Sequence, residues 1–113
     1  MRQALLEVLR LQGYRVITAT SVEQAEATKM QLGAQGIQLL IADVNLWPAA
    51  QARAGYALAQ RWRATHPALP IILISGDPST EALPEVRDGS LRILLKPFRM
   101  EALIAMARRA LGG

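Results

Sequence analysis

Asp43, Ser75 and Lys96 are the residues whose types and positions point to chemistry. Each follows a run of apolar side chains: Asp43 within IQLLIADVNLW, Ser75 at the end of LPIILIS, and Lys96 directly after LRILL. A carboxylate can act as a nucleophile, a hydroxyl can donate to an oxyanion, and an ammonium can neutralise either charge. Taken singly, each has a plainer reading: a turn or cap aspartate, a Ser-Gly turn, a surface lysine at the end of an edge strand. Their weight lies in coincidence, since three equivalent positions carry complementary polar groups between otherwise apolar segments.

The elements around them must bring those positions together. Residues 2–12 carry Leu5, Leu6, Val8, Leu9 and Leu11 at helical spacing before a capping Gly13, and residues 15–19 (RVITA) read as a short β-branched strand. Ser21 followed by Gln24 starts a helix running to about Leu32, and a buried strand follows over 38–42. A long loop is expected over 44–54, then a helix over 55–65 with Leu58, Ala59 and Trp62 on one face, ended by His66-Pro67. Residues 69–75 form the next strand and GDPS a turn; Pro84 makes any helix over 80–88 irregular or late in starting. Residues 91–95 are a strand, and 100–111 a last helix with Leu103, Met106, Ala107 and Ala110 inward. Alternation of helices with near-continuous apolar strands implies a parallel sheet covered on both faces, the doubly wound α/β class, with about four strands and five helices. In such sheets the strands' carboxyl ends line one crevice, which would collect Asp43, Ser75 and Lys96.

At 113 residues and 51% hydrophobic, the chain is expected to form one domain over 1–113 with one core. It has no cysteine, so disulfides and thiolate chemistry are excluded. No apolar run approaches the roughly 18 residues of a membrane span, and no signal peptide is evident, so a cytoplasmic location is expected. The net charge of +4 is spread over thirteen scattered basic residues with few aromatics, which argues against direct nucleic-acid binding. No Gly-rich phosphate loop supports a nucleotide-binding enzyme of the same class.

LLIADVNL with Asp43, PIILISG with Ser75 and LLKPF with Lys96-Pro97, in this order and spacing, resemble the receiver domains of two-component response regulators, which have a CheY-like, flavodoxin-like fold. GYRVITATS, Gly55 after the acid-bearing loop and the last helix extend the resemblance along the whole chain. It implies phosphorelay signal transduction rather than enzyme activity, with a sensor histidine kinase or phosphotransfer protein as partner and a homodimer as a further assembly. Asp43 would be the phosphoacceptor, Ser75 the phosphoryl-binding switch hydroxyl, and Lys96 the ammonium that pairs first with Asp43 and then with a phosphoryl oxygen. Pro97 would follow a cis peptide, and Mg²⁺ would be held by the Asp43 carboxylate and the backbone carbonyl of Asn45.

The sequence departs from the family in three respects. The strand before the first helix and its acidic pair are not found, so the metal site is expected to be incomplete; Glu7 and Asp77 are the nearest substitutes, and phosphorylation is expected to be slow or absent. Because that strand is central in the family order 2-1-3-4-5, the two strands beside it are expected to pair directly with repacking of the first helix, or a dimer to fill the gap; a start at an internal methionine is the favoured origin. The segment from Asp43 to Gly55 is longer than usual and carries Trp47. Ile93 stands where many receivers have a switching aromatic. A phosphorylation-incompetent interaction or dimerisation module is therefore the alternative function.

Overall fold

The computed structural model describes residues 15–32, 36–47 and 53–112. The helix expected over 2–12, with Glu7, lies outside them. The described elements are β1 (Val16–Ser21), α1 (Val22–Leu32), β2 (Leu39–Trp47), α2 (Ala54–Thr65), β3 (Ile71–Ser75), a 3-10 turn (Pro78–Ala82), α3 (Pro84–Arg87), β4 (Arg92–Leu95) and α4 (Met100–Ala110).

Local chemistry accounts for most of these boundaries. The Ser21 hydroxyl accepts the Gln24 backbone N–H at 3.0 Å and so opens α1. Asp77 caps the 3-10 turn by accepting the Ser79 N–H at 2.9 Å. Pro84 gives α3 a late start, because its missing N–H falls where a helix has no internal partner for it.

The four strands are parallel and lie in the order β1-β2-β3-β4. β1 pairs directly with β2, with Val16 opposite Leu39 and Ala19 opposite Ala42. Of the two arrangements expected from the sequence, direct pairing is the one adopted, and no strand intervenes between β1 and β2. Each neighbour follows the last in sequence, so right-handed crossovers place α1, α2 and α3 on one face. That face holds the larger core, where Ala25, Leu40, Ala42, Leu58, Trp62 and Leu73 are buried. On the other face α4 buries Leu103 and Ala107 against Leu39, Ile41 and Ile72. Alternate residues of β2 thus serve both layers, as a strand in a doubly covered sheet must.

β2 departs from the sequence expectation. It continues through Asp43 to Trp47 where a loop was expected from residue 44. Between the pairs Ala19–Ala42 and Ser21–Trp47, β2 contains more residues than β1, so the strand bulges just where Asp43 stands. Bulges re-aim side chains and commonly adjoin active sites.

Candidate functional site

Strand register brings the three chemical residues to one edge. Asp43 lies opposite Ile74 and Ser75 opposite Leu95, while the Lys96 N–H donates to the Ser75 carbonyl at 2.8 Å. Lys96 then reaches over β3, and its Nζ donates to Asp43 Oδ2 at 2.5 Å. The two side chains are 49% and 33% exposed. A pair this open to water adds only about 0–1 kcal/mol to stability. What it supplies is placement: a cation held beside a carboxylate at the sheet edge. The Lys96–Pro97 peptide is cis.

Behind Asp43 the backbone is closely backed. A Cβ at Gly55 would lie 1.8 Å from the Asp43 carbonyl oxygen and 3.0 Å from that of Val44. Only glycine lets α2 start this close to the acid-bearing strand.

Ser75 is buried, at 2% exposure. Its hydroxyl accepts the Asp77 N–H at 3.0 Å and donates to the Asp77 carbonyl at 3.2 Å. That carbonyl also accepts the Thr80 hydroxyl at 2.7 Å. The hydroxyl is therefore near the acid in the fold yet engaged with its own turn. Arg53 spans the gap between the two sides of the site: its Nη2 lies 3.5 Å from Asp77 Oδ2 and 3.4 Å from Ser79 Oγ. The Ser79 amide and hydroxyl, followed by Arg53, hold the Asp77 carboxyl below its usual range. Arg53 has a left-handed backbone, with φ 56° and ψ 40°, the one non-glycine with positive φ among the described residues. No sequence signal marks that conformation in an arginine; the signal available was the Asp-Pro-Ser turn that binds it.

The described donors alone do not complete a Mg²⁺ site. Among the described residues no three His, Cys, Asp or Glu side chains gather closely enough to hold a metal. Asp77, a substitute suggested by sequence, is committed to Ser79 and Arg53. Asn45 lies within the β2 bulge; its side chain and that of Trp47 fall outside the described residues. Ile93, in β4 opposite Leu73, packs against the larger core.

The family model for the response regulator receiver domain matches residues 1–108. Response regulator protein FleR of Pseudomonas aeruginosa is 32% identical over 114 residues, covering 99% of this chain and 23% of that protein. The C4-dicarboxylate transport transcriptional regulatory protein DctD of Rhizobium meliloti is 31% identical over 111 residues, covering 97% of this chain and again 23% of the relative. The chain thus spans about a quarter of these curated relatives. The receiver domain of NtrX from Brucella abortus superposes with a TM-score of 0.73 at 28% identity, covering 98% of this chain and 89% of that one. With its parallel sheet, its acid at the strand edge and its lysine beside it, this chain belongs to the response regulator receiver domain family.

Proposed function

We propose that this receiver domain accepts a phosphoryl group on Asp43 from a histidine kinase or phosphotransfer protein, and that the modification alters a protein-interaction face. The contact between Lys96 Nζ and Asp43 Oδ2 carries the reading. A carboxylate oxygen attacks the phosphorus of a phosphohistidine; the O–P bond forms, the P–N bond breaks, and the imidazole leaves with the electron pair and takes up a proton. Lys96 lowers the charge repulsion of the approach and then pairs with a phosphoryl oxygen. Ser75, once released from Asp77, supplies a hydrogen bond to the transferred group. Receiver domains bind Mg²⁺ at this position; the Asp43 carboxylate and the Asn45 carbonyl would hold it here, and no cluster of three His, Cys, Asp or Glu side chains among the described residues completes the set.

A second reading, a phosphorylation-incompetent interaction or dimerisation module, is favoured by the direct β1–β2 pairing, which leaves no room for a further carboxylate-bearing strand. Intact mass after incubation with acetyl phosphate separates the two. The acceptor reading expects a phosphate-sized gain in the wild type and none in Asp43→Asn. No gain in either, under conditions that modify an ordinary receiver, favours the interaction module.

A further inference from the structure

The connection between β3 and β4 is held down largely by polar side chains. α3 has no buried residue, and its Val86 is only partly buried against the larger core. Thr80 and Leu91 alone are buried between residues 76 and 91. Polar groups from α2 and its cap supply the rest. Arg53 reaches Asp77 and Ser79. The Tyr56 hydroxyl donates to Glu85 Oε1 at 2.6 Å, and Gln60 Nε2 donates to Glu85 Oε2 at 2.9 Å. Arg63 donates through Nη2 to the Ser90 carbonyl and through Nη1 to that of Pro67 at 2.7 Å.

Positions 53, 56, 60 and 63 recur in steps of three and four, which places them along one side of the helix. Their partners run in order along the connection, from Asp77 through Glu85 to Ser90. Leu58, Ala59 and Trp62, by contrast, are buried in the core. α2 therefore has an apolar side for the sheet and a polar stripe that meets this segment at each of its four positions.

We propose that the Arg53–Tyr56–Gln60–Arg63 stripe is a dock that sets whether the connection over 77–90 lies on α2 as a unit, and so whether Ser75 is held by Asp77 or free to turn toward Asp43. This rests on the reading of Ser75 as a phosphoryl-binding hydroxyl. The four are positioning residues, acting on Ser75 through the segment that Asp77 begins. Hydrogen bonds and ion pairs open to water each add little net stability. A segment held by a few of them is biased toward its docked state without being locked, and one new charge at the site can shift the balance.

The stripe acts as a unit only if loosening one end is felt at the other. Tyr56→Phe combined with Gln60→Glu disturbs contacts to Glu85 alone and leaves Arg53, Asp77 and Ser75 intact. Amide hydrogen exchange, read residue by residue by NMR on the full chain, should show the Asp77 and Leu91 amides exchanging about tenfold faster in the double variant. The Leu40 and Ile41 amides of β2 should be unchanged, which excludes global loosening. Gln60→Ala, a milder change, should move the same amides in the same direction and serves if the double variant does not fold. Acceleration confined to Val86 and Arg87, with Asp77 unmoved, would overturn the dock and leave independent tethers. Acetyl phosphate supplies the separate arm: a faster mass gain in the variant supports the coupling to Ser75, and an equal rate despite a loosened Asp77 amide contradicts it. A wild type that takes no phosphate defeats the acceptor reading, and the exchange result still decides whether the dock exists.

Discussion

At the scale of single residues, the site is built from contacts that contribute little to stability and much to placement. The half-exposed Lys96–Asp43 pair is one; the Gly55 contact behind it is the exception, since the fold depends on it. Gly55→Ala would drive a Cβ into the Asp43 carbonyl, and because both partners are backbone the strain cannot relax by rotamer change. A loss of roughly 3 kcal/mol or more is expected, seen as a fall in Tm of roughly 10 °C or more in a thermal melt. Tyr56 and Glu85 make a pH-dependent pair. The Tyr56 hydroxyl, then Gln60, hold the Glu85 carboxyl below its usual range, while the same bond and burial push Tyr56 up to about 12. Glu85 thus stabilises the fold above its unfolded value near 4.3, and that contribution is lost as pH falls through its depressed folded value. Protonated Tyr56 contributes below about 10, and its contribution is lost as pH rises through about 12. Urea titrations of wild type and Tyr56→Phe should show a stability gap at pH 7 that narrows toward pH 3; a gap constant over that range would show that the hydroxyl does not act through Glu85. Asp43, Ser75 and Lys96 were legible as residue types in sequence because each interrupts an apolar run. Arg53 was not, because its left-handed backbone leaves no trace in residue order and only the Asp-Pro-Ser turn hints at a partner for it.

At the scale of elements, hydrophobic pattern located the strands and helices well and their ends less well. α4 is the clearest case: Leu103, Met106, Ala107 and Ala110 were expected inward, and all four are buried or half-buried on the second face of the sheet. Leu103→Ala should therefore cost about 2–5 kcal/mol in denaturant unfolding, whereas the exposed Glu101→Ala should change stability by less than about 0.5 kcal/mol. Comparable losses in the two variants would show that α4 does not dock through Leu103. β2 is the element that pattern misjudged. Its apolar run ends at Ala42, and Pro48 suggests a loop, but β1 remains alongside as far as Ser21 and provides Trp47 with a backbone partner. Pairing between strands, which no local window contains, prolonged it and produced the bulge at Asp43. Pro84 is a case pattern handled better: a helix over 80–88 was expected to be irregular or late in starting, and it starts at Pro84 after a separate 3-10 turn.

At the scale of the whole molecule, strict alternation of elements was enough to establish a parallel sheet with two covered faces. It was not enough to choose between direct pairing and filling by a second copy. The choice turns on strand edges, since unpaired backbone donors and acceptors along an apolar edge seek a partner. β1 and β2 satisfy each other through four consecutive pairs, Val16–Leu39 to Ala19–Ala42, and both faces of β2 are then buried. The same closure bears on the proposed acceptor, which has Lys96 beside it and no cluster of three His, Cys, Asp or Glu side chains among the described residues. The most direct measurement is therefore where the phosphoryl group goes. After incubation with acetyl phosphate, borohydride reduction converts an acyl phosphate of aspartate to homoserine, and peptide mapping locates it. Conversion of Asp43, abolished in Asp43→Asn and reduced in Lys96→Met, is the predicted result; conversion at another carboxylate, or at none, would contradict Asp43 as the phosphoacceptor.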